Sequence, residues 1–193
     1  MNWKNTTDRY GSLSIAMHWV MLLLLIGVYA CINLREAFPR GSDLREGLKM
    51  WHFMLGLAVF ALVFLRMAIR LAGASPRIQP EPVAWQTRLA GLMHLALYAF
   101  MIAMPLLGWL TLSAAGKPIP FFGLHLPALL GVDKALAGSL EEIHETIGTI
   151  GYYLIGLHAA AALFHHYVVR DNTLLRMLPR RKRPARAASL NRS

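Results

Sequence analysis

Cysteine is nearly absent from this chain of 193 residues, which contains only Cys31. A single cysteine excludes an intramolecular disulfide, and the lack of a Cys-x-x-Cys-His motif excludes a covalently attached c-type haem. The chain also has no recognisable internal repeat, and no small-x-small cleavage site precedes Asn33. We therefore expect its first apolar stretch to be retained as a helix rather than removed as a signal peptide.

Apolar residues are abundant. They make up 56% of the chain and the mean hydropathy is +0.43, whereas a soluble domain has about 45–50%. Four stretches approach the roughly 20 apolar residues that cross a bilayer. They lie at about 15–32, 53–72, 89–115 and 143–169. The pattern predicts an all-α membrane protein, with one four-transmembrane-helix bundle over 1–179 and a basic tail over 180–193 that is polar enough to be disordered.

The charge is strongly positive, with a formal net charge of +10. The basic residues cluster beside the apolar segments and in the tail, which favours anionic lipid head groups over nucleic acid as a partner. The N-terminus, the second loop with the end of the second span (Arg66 and Arg70), and the tail together hold fourteen basic residues, whereas the first and third loops hold six. By the positive-inside rule, both termini are predicted to face the cytoplasm.

Histidines recur in and beside the apolar segments. His144 and His158 are fourteen residues apart, a rise of roughly 21 Å that returns to nearly the same helix face. Because successive helices run in opposite directions, His18 and His158 are expected at one depth, near the cytoplasm. His52 and His144 are expected at the other, near the outer surface. Ionisable side chains at membrane depth indicate function.

Paired imidazoles suit haem iron, because two neutral rings make a six-coordinate centre for electron transfer. Small residues near the histidines, such as Gly56, Gly148 and Gly151, would let a flat macrocycle approach, although they are equally typical of helix packing. Zinc is the rival metal, but a structural zinc site wants four ligands around one point. Methionine thioethers are other possible ligands, and we interpret them as packing residues.

Several segments resemble bacterial cytochrome b561. They are SIAMHW at 14–19, WH at 51–52, HET at 144–146, GLHAAA at 156–161 and DNTLLRMLP at 171–179. The resemblance extends over nearly the whole chain up to Pro179, and its most specific part is the fourth helix with the segment that follows it. The chain is also similar to the cytochrome b subunits of nickel-iron hydrogenases and formate dehydrogenases.

The resemblance implies a multi-pass protein of the bacterial inner membrane that binds two haem b groups. In this family the first and fourth helices ligate the inner haem iron, and the second and fourth helices ligate the outer one. Carried over, this pairs His18 with His158 and His52 with His144, which is also the pairing that depth suggests.

Two further histidines are quinone-site candidates. His94 lies a few residues into the third span and, by depth alone, could compete with His18 for the inner iron. The family's third helix supplies no ligand, so we interpret His94 as a packing or quinone-site residue. His165 is one heptad beyond His158, where it could meet a quinone head group, or it could belong to an interfacial aromatic belt. His125, in the third loop, is expected to be a surface residue.

The activity implied by the resemblance is oxidation of superoxide to oxygen at the outer face and reduction of ubiquinone near the cytoplasm. No catalytic residue is assigned and no protein partner is required. Outer basic residues could attract the anion, although outer acids outnumber them by one, seven to six. One alternative is a haem-bearing subunit that relays electrons between a partner dehydrogenase and quinone. Another is a non-redox metal transporter that uses the histidine layers as a pathway.

Overall fold

A computed structural model describes residues 3–179. Its four long helices are α1 (Ser12–Leu34), α2 (Asp43–Leu71), α3 (Ala84–Ala114) and α4 (Lys134–Phe164). Each of them is long and apolar enough to cross a membrane. The predicted all-α membrane architecture of four spans is therefore confirmed, while the tail over 180–193 lies outside the described residues.

Helices α2 and α4 begin about ten residues before the apolar stretches that predicted them. The reason is local capping, because the side-chain oxygens of Ser42 and Asp133 accept hydrogen bonds from the first free backbone N–H groups of these helices. Hydropathy marks only the apolar part of a helix. His52 and His144, expected to open their spans, consequently lie about two and a half to three turns inside the helices.

A short antiparallel hairpin that was not predicted joins α3 to α4. Its strands are β1 (Ile119–Phe121) and β2 (Leu124–Leu126). The two turn residues, Phe122 and Gly123, have φ values of 46° and 86°, as tight hairpin turns require. Ile119 is buried and packs against Leu57 of α2 and Leu112 of α3. The hairpin thereby covers one end of the bundle.

The bundle is packed unevenly. Helix α1 packs on α2, α2 on α3 and α3 on α4, whereas α1 and α4 make few close backbone contacts within the described residues. The largest buried cluster comes from the first three helices. Its members are Met21, Val59, Val63, Phe100 and Met101. In the most apolar stretch of α4, only 6% of the residues are buried, whereas 17–22% are buried in the corresponding stretches of the other three helices. Helix α4, which carries two of the expected ligands, is therefore the least enclosed.

The segment after α4 folds back across the end of the bundle. A π-helical turn, His165–Val169, ends the helix. Beyond it, the carbonyl oxygen of Met177 accepts a hydrogen bond of 2.9 Å from the indole of Trp19. The carbonyl oxygen of Leu178 accepts one of 3.2 Å from Arg9. These two bonds attach the segment after α4 to α1 and to the segment that precedes α1.

Candidate functional site

The outer pair, His52 of α2 and His144 of α4, faces across the bundle with ring centroids 6.2 Å apart. The Nδ1 atom of His52 lies 3.0 Å from the carbonyl oxygen of Val28 on α1. A carbonyl oxygen only accepts, so Nδ1 carries the proton and Nε2 of the neutral ring keeps its lone pair. Histidines that ligate metals are oriented by this kind of bond.

A cavity adjoins the outer pair and is lined by both rings, by apolar side chains and by two glycines, Gly56 and Gly108. A Cβ atom added at Gly56 would meet no atom within 4 Å, and one at Gly108 would lie 3.4 Å from Cε1 of His144. An alanine at Gly108 would therefore be in van der Waals contact with the His144 ring. The small residues keep this apolar cavity open to a flat group beside the imidazoles.

One polar atom of the outer pair has no partner. Nδ1 of His144 is buried without a hydrogen bond of normal length, although the carbonyl oxygen of Met104 on α3 faces it. A buried polar atom left unpaired is costly and calls for an explanation. Orientation of His144 is thus less constrained by its neighbours than orientation of His52.

The spacing of the rings fits two ligands on one iron. Metal–imidazole bonds are about 2.0–2.1 Å long and the ring centroid lies roughly 1.1 Å behind the bonded nitrogen, so two imidazoles that hold one metal would have centroids up to about 6.3 Å apart. The outer pair, at 6.2 Å, agrees with this value. The residues present could therefore hold a haem.

Three imidazoles meet at the other depth. The ring centroid of His158 on α4 lies 6.4 Å from that of His18 on α1 and 5.7 Å from that of His94 on α3. We call His18 and His158 the inner pair. The expected partners are thus brought together, but the ring of His94 lies nearer to His158 than the ring of His18 does, so proximity alone does not exclude His94.

His18 differs from His52 in its second nitrogen. Its Nδ1 lies 3.1 Å from Nη2 of Arg66, and a guanidinium only donates hydrogen bonds. In this arrangement His18 is the acceptor at Nδ1, and a neutral ring carries its proton at Nε2. Arg66 is one of the basic residues that predict the topology, but an arginine inside an apolar helix is itself a mark of function.

His165 is paired with a carboxylate that sequence analysis did not single out. Its Nδ1 lies 2.6 Å from Oδ2 of Asp171, because the left-handed Arg170, with a φ of 59°, turns the chain back. Burial opposes ionisation of Asp171, but hydrogen bonds from His165 and Thr173 outweigh it and lower the pKa of this carboxyl. His165 is therefore oriented by Asp171 at the end of α4.

Some expected features have other surroundings. A Cβ atom at Gly151 would overlap the side chains of Phe100 and Tyr29, so this glycine serves helix packing. His125 is exposed on β2. Across residues 3–179, no group of three or more His, Cys, Asp or Glu side chains is arranged to hold a metal ion. That part of the chain thus contains no four-ligand set of the kind structural zinc prefers.

Comparison with known proteins gives a consistent result. A family model described as prokaryotic cytochrome b561 matches residues 9–180. Cytochrome b561 homolog 1 of Escherichia coli (strain K12) is 41% identical over 91% of this chain and 99% of its own length. The probable superoxide oxidase CybB of Yersinia pestis is 38% identical over 90% and 98%. Cytochrome b561 homolog 2 of Escherichia coli (strain K12) is 31% identical over 92% and 95%.

Proposed function

The chain belongs to the prokaryotic cytochrome b561 family of membrane electron-transfer proteins, and we propose that it is a di-haem b superoxide:ubiquinone oxidoreductase of the bacterial inner membrane. Two superoxide anions would yield two molecules of oxygen and two electrons, and ubiquinone would take up those electrons with two protons to form ubiquinol. The family implies b-type haem. The number of haems, the donor and the acceptor are parts of the proposal.

The observation that carries the haem assignment is the state of His52. Its Nδ1 proton is held by the Val28 carbonyl oxygen, so Nε2 is the nitrogen available as a ligand, and the His144 ring lies 6.2 Å away beside an apolar cavity. We assign His52 and His144 to one haem iron. Haem iron bound there would supply a one-electron carrier.

We assign His18 and His158 to the second haem iron and keep His94 as a quinone-site residue. Helix α3 supplies no ligand in the family's pattern, and the centroid spacing of 6.4 Å between His18 and His158 would allow both imidazoles to hold one haem iron. His94 would then lie beside the inner haem, where a polar ring can hydrogen-bond a quinone oxygen.

The outer face offers a local excess of positive charge. Both carboxylate oxygens of Glu36 accept 3.1 Å bonds from Arg45, and one also accepts a 3.0 Å bond from Arg35. Two cations thus share one anion, and Arg35 is close enough for its charge to act on His52. This placement supports attraction of superoxide to the outer pair, even though acids outnumber bases over the whole outer side.

At the other face, His165 is the second quinone-site candidate. Its Nδ1 proton is directed to Asp171, which leaves Nε2 free to take up a proton from the aqueous side and pass it to a bound quinone oxygen. Quinone reduction consumes protons, and a histidine held by a carboxylate is suited to deliver them.

Haem content tests the ligand assignment. We expect two haems per wild-type chain by reduced-minus-oxidised spectroscopy and haem extraction, and one in each of His52→Ala and His158→Ala, with different absorption maxima. His18→Ala should lose the same haem as His158→Ala, whereas His94→Ala should keep both. Loss of a haem from His94→Ala with full content in His18→Ala would reverse the inner assignment.

Superoxide kinetics test the reaction. Purified protein with ubiquinone should form ubiquinol from superoxide, and the rate should fall as salt rises, because the Debye length shrinks from about 30 Å at 0.01 M to about 8 Å at 0.15 M. Arg35→Gln should slow the reaction several-fold, while Lys117→Gln, which removes an exposed charge from the third loop, should not. If superoxide reduces the protein no faster than an unrelated reductant does, the electron-relay subunit becomes the better interpretation.

A further inference from the structure

A second cavity lies next to the inner pair and is unlike the outer one, because it is lined by polar and cationic groups. Arg66 and Arg70 of α2, Tyr98 of α3, Ser14 of α1 and Tyr10 of the N-terminal segment all contribute to its walls. Met17 also lines it and is adjacent to His18 in the chain, so the cavity borders the proposed ligand.

No carboxylate among residues 3–179 is paired with the arginines of this cavity. No Asp or Glu lines it, and neither arginine takes part in any salt bridge among residues 3–179. The remaining residues, 1–2 and 180–193, contain no acidic residue. Cations at membrane depth are costly unless they are paired. The cavity therefore favours an anionic ligand.

Tyr98 gives an independent indication of the same ligand. Its hydroxyl is buried and has no hydrogen-bond partner, and the guanidinium of Arg70 lies over its ring, 5.7 Å from the centroid. A buried hydroxyl without a partner is unfavourable, because it has lost its hydrogen bonds to water and forms none with the protein. An acceptor bound in the cavity would satisfy this donor together with the arginines.

Arg66 connects the cavity to the proposed haem site. Its 3.1 Å bond to Nδ1 of His18 makes that nitrogen an acceptor, but a neutral histidine that ligates iron through Nε2 carries its proton on Nδ1. The hydrogen bond and the ligation therefore exclude each other. Ligation by His18 requires Arg66 to bond to a different acceptor within reach of the same side chain.

We propose that this cavity binds a propionate carboxylate of the inner haem, with Arg66 as the principal donor and Arg70 and Tyr98 beside it. The planar guanidinium matches a carboxylate in two-point geometry. Moving Arg66 to the carboxylate also releases Nδ1 of His18, so binding of the propionate and ligation of the iron support each other. The inference rests on the proposed haem function.

The test compares haem with haem dimethyl ester, which lacks the carboxylates, in full-length protein carrying His52→Ala so that only the inner site is measured. The readout is the rate of haem loss to excess apomyoglobin. We expect the ester to leave about tenfold faster than haem when Arg66 is present, as for loss of a charge-assisted hydrogen bond. In Arg66→Gln the two rates should become similar, whereas Arg88→Gln, outside the cavity, should preserve the difference.

Folding of Arg66→Gln is checked in the chain that retains His52, where the outer haem should bind at full occupancy. An unchanged preference for haem over its ester in Arg66→Gln would overturn the proposal. So would loss of co-purifying phospholipid without a change in that preference, since a lipid phosphate would then be the anion. Absence of any b-type spectrum in the wild type would instead refute the proposed function.

Discussion

Gly151 provides the most direct test of the bundle's interior, because it lies seven residues from each proposed α4 ligand. A Cβ atom there would overlap Phe100 and Tyr29, and Tyr29 donates a 2.7 Å hydrogen bond to the carbonyl oxygen of Gly148. Gly151→Ala should therefore displace the Phe100 and Tyr29 side chains, which lie between the outer and the inner histidine pairs. Gly156→Ala is the matched control, since its Cβ would meet no atom within 4 Å.

The magnitudes can be worked out for both variants. Overpacking costs about 1–3 kcal/mol, loss of the Tyr29 bond costs about 1 kcal/mol, and alanine in a helix returns at most about 1 kcal/mol over glycine. Gly151→Ala should lose roughly 1–3 kcal/mol of unfolding free energy and Gly156→Ala should gain up to about 1 kcal/mol. Thermal unfolding in detergent, followed by far-UV circular dichroism, measures the difference. Equal midpoints for the two variants would refute the packing assigned to Gly151.

Three further predictions concern the ends of the bundle. The pKa of Asp171 is lowered in the folded chain, so its ionised carboxylate stabilises the fold above the ordinary Asp pKa of about 3.9, and this stabilisation is lost as the pH falls through the folded pKa. Asp171→Asn should therefore unfold at a lower temperature than the wild type near neutral pH, and the difference should vanish in acid. His165→Ala serves as a comparison. Gly116→Ala, at a φ of 68°, should destabilise the chain by about 1–2 kcal/mol in denaturant titration, and no change would contradict the left-handed helix end. Trp109 lines the cavity beside His52 and His144, and its indole donates a 2.9 Å hydrogen bond to the carbonyl oxygen of Pro127. Trp109→Phe removes this bond and should raise the rate of haem loss from the outer site, while the rate of loss from the inner site stays constant.

Prediction from sequence was most successful where a signal depends on composition along one segment. Four long apolar stretches predicted four spans, and residues 3–179 form four helices that are long and apolar enough to cross a membrane. The motifs around His144 and His158 indicated the family that the comparisons confirm. Helices α2 and α4 begin earlier than expected, directly after the capping residues Ser42 and Asp133, because capping depends on a single side chain. The hairpin near Gly123 was missed, since two three-residue strands have little periodicity.

The sequence by itself determined the number of spans, the paired depths of the histidines and the family, because hydrophobicity and helical rise are properties of a single segment. Only the tertiary structure decided which groups meet. Val28 contacts His52, and Arg66 contacts His18. The rings of His94 and His18 both lie within 6.4 Å of the His158 ring. Those contacts join different helices, and their existence depends on how the helices rotate and pack against one another. For that reason, tautomers and unpaired charges become visible only in the folded bundle, whereas competition between His94 and His18 was already expected from their depth.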